Sequence, residues 1–151
     1  MQSDDVLSLF RSVSALLEGH FRLSSGLHSN GYMQSALVLQ HPEHAAALGR
    51  ALADAVRPLD PHVVLSPALG GLIIGHEVAR ALGVRAIFAE RVDGVLTLRR
   101  GFSLGRGGDV DLGVPFTALA SVSFPTWPAD QVPEWLAAIP VTKPGSRPGP
   151  K

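Results

Sequence analysis

The stretch His62-Val63-Val64-Leu65-Ser66-Pro67-Ala68-Leu69-Gly70-Gly71 decides the fold. Its first four residues form a short apolar run typical of a buried strand, and a glycine-bearing turn follows directly. Residues 72–82 then have the pattern of a helix, Gly83 is the residue expected just after its end, and residues 84–89 again suggest a strand. Strand, turn, helix and strand make a βαβ unit. The sequence therefore predicts an α/β fold with a mainly parallel sheet flanked by helices.

The N-terminal segment combines a helical pattern with a turn-rich one. Residues 3–17 carry apolar side chains at helical spacing, with Ser3 placed to cap the helix and Gly19 placed to end it. Residues 21–34 follow and contain Asn30-Gly31, a strong turn signal. One helix and then a small antiparallel element are therefore predicted.

The remaining elements are bounded by proline and glycine. They are a helix over residues 42–56, a strand over 95–98, a β-rich segment over 115–124, a short helix over 133–138 and a frayed tail over 143–151. The sequence shows no internal repeat, so the 151 residues are predicted to form one domain.

Composition narrows the functional classes. Basic and acidic residues both number 13, so no net charge draws the chain to nucleic acid or to a membrane. The absence of cysteine excludes a disulfide, a cysteine zinc site and a thiol nucleophile, and the six histidines show no metal-ligand spacing. The N-terminus lacks a signal-peptide pattern. We therefore expect a cytoplasmic protein whose partner is a small molecule or a second copy of the chain.

The turn Ala68-Leu69-Gly70-Gly71 is the first candidate binding element. It places backbone N–H groups at a helix N-terminus, where the helix dipole attracts anions, and glycine lets a ligand approach closely. Diphosphate is a natural ligand for such a turn. Taken alone, the turn is equally well a tight connection that binds nothing.

A short hairpin carries the second candidate. Glu90-Arg91 and Arg99-Arg100 bracket it, with Asp93-Gly94 at its tip. Arginines on such a hairpin can close over a phosphorylated substrate and neutralise a departing diphosphate. The alternative interpretation is an ordinary solvated hairpin.

The third candidate is the polar turn of the N-terminal element. It contains Ser24, Ser25, Gly26, His28 and Ser29, and Tyr32 follows it. Polar groups beside an aromatic ring can bind a flat heterocycle by hydrogen bonding and stacking. Alternatively, the serines only satisfy the backbone of a capping hairpin.

Five segments, taken in order, resemble the orotate phosphoribosyltransferases of bacteria. They are Phe21-Arg22-Leu23-Ser24-Ser25-Gly26-Leu27-His28-Ser29 with Tyr32, Ser66-Pro67-Ala68-Leu69-Gly70-Gly71, Phe88-Ala89-Glu90-Arg91 with Leu98-Arg99-Arg100-Gly101-Phe102, Asp111-Leu112-Gly113-Val114-Pro115-Phe116, and Lys143-Pro144-Gly145-Ser146-Arg147. They correspond to that family's orotate hood, diphosphate loop, catalytic flexible loop and C-terminal part.

The resemblance implies a type I phosphoribosyltransferase fold and a pentosyltransferase activity. Members transfer phosphoribosyl from phosphoribosyl diphosphate, with magnesium, to orotate in pyrimidine synthesis, and they form homodimers. The implied catalytic residues are Arg91, Arg99 and Arg100, and the implied substrate-binding residues are Ser25, Gly26, Tyr32, Ala68, Leu69, Gly70, Gly71 and Arg106. The implied parts are a helix and hood over 1–40, a βαβ core and flexible loop over 41–108, and a C-terminal β segment and tail over 109–151.

The chain departs from the family in two ways. Ser24 and Gly70 stand where many members carry lysine. More importantly, members continue after Arg-Arg-Gly-Phe with a strand, an acidic pair and a Thr/Gly-rich loop that cradles the 5′-phosphate, whereas here residues 102–108 run directly into 109–112. A crossover of roughly 30 residues or more is missing. Arg106, at this junction, belongs either to the flexible loop or to the orotate site.

This loss leaves more than one functional hypothesis open. The first is an orotate phosphoribosyltransferase with weak or absent turnover, and the second is a non-catalytic protein that binds orotate and diphosphate. A purine-type relative is the third, but the hood signature argues against it. The missing segment is a deletion or an incomplete record of a longer protein, and its loss would expose apolar surface that strand re-pairing or dimerisation could cover.

Overall fold

The predicted βαβ unit is the clearest feature of the computed structural model, which describes residues 1–104, Leu119 and residues 122–144. The helices are α1 (Ser3–Ser12), α2 (Ser35–Leu39), α3 (Pro42–Val56), α4 (Leu72–Leu82) and α5 (Glu134–Ala137). The strands are β1 (Leu16–Arg22), β2 (His28–Met33), β3 (Val63–Pro67), β4 (Arg85–Val92), β5 (Val95–Leu98), β6 (Thr126–Trp127) and β7 (Val141–Thr142), and short 3₁₀ turns span Arg57–Leu59 and Ala129–Gln131. The prediction of an α/β fold is confirmed.

The three-stranded sheet β3-β4-β5, here called the βαβ sheet, contains that unit. β3 and β4 pair in parallel from Val63↔Arg85 to Pro67↔Ala89, and β5 pairs with β4 in the antiparallel direction. Helix α4 lies very close to β3, since a Cβ added at Gly75 would stand 2.5 Å from the Ser66 Oγ. The predicted bounds of α3, α4 and β5 agree with those observed.

The four-stranded sheet β6-β2-β1-β7, here called the N-terminal sheet, joins the two ends of the described chain. β1 and β2 form an antiparallel hairpin, β6 adds to β2, and β7 adds to β1 in parallel. The predicted turn at Asn30-Gly31 is wrong, because both residues lie inside β2. The turn lies at residues 23–27, where Gly26 takes a positive φ of 88° and its N–H donates to the Leu23 carbonyl.

Helix α1 is shorter than predicted. It ends at Ser12 rather than near residue 17, and its N-cap is Gln2 rather than Ser3. Leu16 and Leu17 pair instead with Met33 and Tyr32 in the N-terminal sheet. Their apolar side chains suit either structure, and tertiary strand pairing outweighs the local helical pattern. Gly19 consequently lies within β1 and ends no helix.

The main apolar core is formed by α1, α2 and α3. Its buried members are Val6, Phe10, Ala15, Val38, Leu39, Ala45 and Leu48, and Leu119 packs against them. Helix α5 confirms the short helix predicted over 133–138. Of the β-rich segment predicted over 115–124, residues 115–118, 120 and 121 lie outside the described residues, as does the tail from 145 onward, and residues 122–124 form no strand. Within the described part of the chain, no helix is long and apolar enough to cross a membrane.

Candidate functional site

The turn between β3 and α4 has the geometry expected of an anion-binding element. The Ala68 N–H donates to the Ala89 carbonyl at 2.8 Å and the Gly71 N–H to the Pro67 carbonyl at 2.9 Å. The N–H groups of Leu69 and Gly70 find no acceptor among the described residues, and 82% of Leu69 is exposed. Two backbone donors thus have no acceptor among the described residues at the N-terminus of an eleven-residue helix, where the helix dipole favours negative charge.

The two glycines of this turn serve different purposes. A Cβ at Gly71 would lie 2.7 Å from the Pro67 Cδ, so the turn can close only on glycine. A Cβ at Gly70 would meet nothing within 4 Å. The space that a side chain at Gly70 would occupy is therefore open.

The hairpin of β4 and β5 begins beside this turn, because Ala89 both accepts the Ala68 N–H and precedes Glu90. Its three arginines differ in their partners. Arg91 Nη1 donates to the Gly94 carbonyl at the hairpin tip, and Arg100 Nη2 donates to Glu90 Oε1 at 2.8 Å. The Arg99 side chain makes no hydrogen bond to any described residue, although the Arg99 carbonyl accepts from the Phe102 N–H. It is the arginine most available to an external anion.

The Glu90–Arg100 pair has a clear electrostatic signature. The hydrogen bond and positive charge of Arg100 lower the pKa of Glu90, against a smaller opposing effect of burial. The same hydrogen bond raises the pKa of Arg100 above its ordinary value. Both groups are therefore charged at neutral pH. The Arg100 guanidinium also lies 6.0 Å from the centre of the Phe88 ring, and the Phe88 and Phe102 ring centres are 5.1 Å apart.

The predicted hood residues are not all brought together. Ser25 and Gly26 occupy the exposed turn before β2, whereas Tyr32 lies near the other end of that strand. Four strand residues, or roughly 13 Å, separate the levels of His28 and Tyr32. Tyr32 is half-buried beside Phe21, with ring centres 6.0 Å apart.

A cavity of about 290 Å³ connects the end of β2 with the turn before α4. Met33, Ser35 and Gly70 line it together with apolar side chains of α1, α3 and α4. It brings the end of the hood that bears Tyr32 near the diphosphate turn, while Ser25 and Gly26 lie at the other end of β2. Arg106 lies outside the described residues.

The structure adds contacts that sequence reasoning missed. Buried His20 directs Nδ1 to the Ile139 carbonyl at 3.0 Å and Nε2 to Nδ1 of His28 at 2.7 Å. Because a carbonyl only accepts, His20 Nδ1 carries the proton. No sequence signal could have joined residues 119 positions apart, and the two-residue strands β6 and β7 are too short to show a periodic pattern.

Sequence relatives decide the family. An orotate phosphoribosyltransferase of Erythrobacter litoralis is 47% identical over 191 residues, which cover 97% of this chain and 99% of the relative. An orotate phosphoribosyltransferase of Heliobacterium modesticaldum is 41% identical over 190 residues, which cover 97% of this chain and 100% of the relative. The chain belongs to the orotate phosphoribosyltransferase family. The predictions of this family and of its pentosyltransferase class are confirmed.

Structural comparisons give weaker similarity. An orotate phosphoribosyltransferase of Mycobacterium tuberculosis superposes with a TM-score of 0.49 at 21% identity, and the match covers 63% of this chain and 58% of that one. The orotate phosphoribosyltransferase of Francisella tularensis superposes with a TM-score of 0.41 at 20% identity. That match covers 66% of this chain and 51% of the Francisella protein. This chain thus spans less than two thirds of either solved protein. No protein-family model matches the chain.

The alignments also measure the missing segment. The alignment with the Erythrobacter protein extends over 191 residues whereas this chain has 151, so at least 40 positions have no counterpart here. Because both proteins are covered nearly from end to end, the gap is internal to the match. This confirms the predicted internal loss. Its placement near residues 106–108 and its content stay predictions.

Proposed function

We propose that the chain binds orotate and phosphoribosyl diphosphate, the substrates of orotidine 5′-monophosphate formation, and that its own turnover is weak. The observation that carries the proposal is the turn Ala68–Gly71, in which two backbone N–H groups at a helix N-terminus have no acceptor among the described residues. It occurs in a chain 47% identical to a protein named for this reaction. Diphosphate is the part of the substrate that such a turn fits.

The arginines of the hairpin supply the positive charge that the reaction needs. As the bond to diphosphate breaks, negative charge develops on the leaving group, and a nearby guanidinium stabilises it. Arg99 is free to do so among described residues, while Arg91 and Arg100 would have to exchange or share their present partners. We assign orotate to the end of the hood near Tyr32, with Arg106 as a further contact. Roles for Ser25 and Gly26 stay predictions, because both residues lie at the other end of β2.

Magnesium belongs to this proposal as part of the substrate. In this proposal the cation is held chiefly by phosphate oxygens of the substrate. A homodimer, a cytoplasmic location and the three parts bounded near residues 40 and 108 complete the proposal, and they rest on the family resemblance. No role with nucleic acid or membrane is proposed.

The internal gap supports weak turnover. By resemblance, the missing segment includes the cradle of the 5′-phosphate, and without it the ribose centre is poorly positioned between orotate and diphosphate. Binding of both substrates without reaction is therefore a second candidate function. The gap of at least 40 positions is the observation that favours it.

Orotate consumption, followed by ultraviolet absorbance with magnesium phosphoribosyl diphosphate, tests turnover. Arg99→Ala should abolish any activity, whereas Arg50→Ala, an exposed arginine of α3, should preserve it. Equal rates in the two variants would assign the activity to a contaminant or another site. No turnover, with both ligands bound, would establish the second candidate.

Calorimetric titration with magnesium diphosphate tests the binding turn directly. Gly70→Lys adds, where a Cβ meets no protein atom, the cation that by resemblance many family members carry there, and we expect affinity to rise about tenfold, the equivalent of about 1.4 kcal/mol. Because the added Cβ meets no protein atom, the urea midpoint should hardly change. Unchanged affinity would contradict the assignment of diphosphate to this turn.

A further inference from the structure

We infer that Glu90 is a positioning residue that holds Arg100 for contact with diphosphate. The inference rests on the proposed function, since it concerns the same anion site. Nothing in the sequence pattern distinguished Glu90 from the arginines around it. The structure does so through three features: its hydrogen bond, its place in the sheet and its buried second oxygen.

The hydrogen bond fixes one edge of the Arg100 guanidinium and leaves the rest available. Glu90 Oε1 accepts from Nη2 at 2.8 Å, while the face of Phe88 limits movement on another side. Guanidinium carries five N–H donors, and a single one of them is engaged within the described residues. The remaining donors can bind phosphate oxygens without releasing Glu90.

Strand order shows in which direction the hydrogen bond to Glu90 orients the Arg100 guanidinium. Pro67, Ala89 and Leu98 lie in one row across the sheet. Because β5 runs against β4, the chain after Leu98 continues away from the carboxyl end of β3, where the diphosphate turn lies. Glu90 lies one residue beyond the row on the carboxyl side. Pairing with Glu90 therefore draws the Arg100 side chain back toward the turn.

Fold stability does not account for the pair. Its side chains are 63% and 23% exposed, and solvent screens ion pairs of this kind. The second oxygen of Glu90, Oε2, is buried without a donor among the described residues, an arrangement that costs stability. Orientation of Arg100, rather than stability, is therefore the role that the geometry leaves for this carboxylate.

A double-mutant cycle measured by calorimetry tests the inference, with magnesium diphosphate as the probe. The proteins are the wild type, Glu90→Gln, Arg100→Ala and the double variant. Glu77→Gln is the matched control, because Glu77 forms a similarly exposed pair with Arg80 on α4. We expect Glu90→Gln to weaken binding about three- to tenfold, the double variant to bind no worse than Arg100→Ala, and Glu77→Gln to have no effect.

The possible outcomes separate this inference from the proposed function. A wild-type protein that fails to bind diphosphate overturns both. If the wild type binds but Glu90→Gln binds equally well, or if the losses from Glu90→Gln and Arg100→Ala simply multiply, the positioning role alone is overturned. Non-additive losses of diphosphate affinity distinguish positioning from a structural role. If Glu90→Gln loosened the hairpin in general, adding it to Arg100→Ala would weaken diphosphate binding further.

Discussion

The two sheets of this protein are assembled from very different spans of chain. The βαβ sheet uses continuous sequence from Val63 to Leu98. The N-terminal sheet joins β1 and β2 to strands more than 90 residues away, and Thr142 Oγ1 donates to the His20 carbonyl across 122 positions. The difference teaches that local sequence suffices to organise the diphosphate turn, whereas the hood depends on the distant C-terminal segment.

The comparison has an energetic side. Bringing strands together across a long loop costs chain entropy, so the N-terminal sheet needs stabilising contacts at its distant strands. Fully buried Leu136 and the His20 contact to Ile139 provide them. The βαβ sheet relies instead on close backbone packing, as at Gly75. These features predict how each sheet fails.

Removal of the Leu136 side chain should have the largest effect. Leu136→Ala leaves a cavity where α5 packs against β1, and we expect a loss of about 2 to 5 kcal/mol in the free energy of unfolding. Urea denaturation measures it, and hydrogen exchange should show the N-terminal sheet opening before the βαβ sheet. Leu59→Ala, at a 60% exposed leucine, is the control. Equal increases in amide hydrogen exchange in both sheets of Leu136→Ala would contradict the expectation that the N-terminal sheet opens separately from the βαβ sheet.

Overpacking of the βαβ sheet should come next. Gly75→Ala forces α4 away from Ser66, and we expect about 1 to 3 kcal/mol of destabilisation by urea denaturation. Gly70→Ala supplies the contrast, because the same methyl group there meets no atom. Similar losses for the two variants would show that α4 moves freely.

Loss of the His20 contacts should have a smaller effect. His20→Phe keeps a buried ring but leaves the Ile139 carbonyl without its donor, at a cost of about 1 to 2 kcal/mol. Urea denaturation again measures the change, with exposed His62→Phe as the control. No difference between these variants would mean that apolar packing alone attaches β7.

The smallest expected effect concerns the Glu77–Arg80 pair of α4. Hydrogen bonding to Arg80 lowers the pKa of Glu77. The contribution of the pair to the free energy of unfolding is therefore complete above the ordinary glutamate pKa of about 4.3, and it is lost as the pH falls through the lower folded-state pKa. Glu77→Gln should therefore cost up to about 1 kcal/mol at neutral pH. Urea midpoints of the two proteins should converge in acid, and a constant difference would refute this linkage.

Particular residues show how far the sequence could be interpreted. The bounds of α3, α4 and β5 were predictable because proline, glycine and an Asp-Gly tip mark their ends. The end of α1 was not, because Leu16 and Leu17 fit a helix and a strand equally well until Tyr32 and Met33 lie beside them. The arginines were recognisable as candidates, but their separation into paired Arg100 and free Arg99 within the described residues depends on Glu90.

The sequence by itself determined the βαβ unit, the family and the absence of an internal segment. These follow from local periodicity, glycine chemistry and ordered motifs, none of which requires knowledge of distant contacts. Tertiary structure alone decided that β6 and β7 complete the N-terminal sheet and that Glu90 holds Arg100. Strand partners and ion pairs depend on which side chains meet after folding, and short strands or single charges carry no local pattern that specifies their partners.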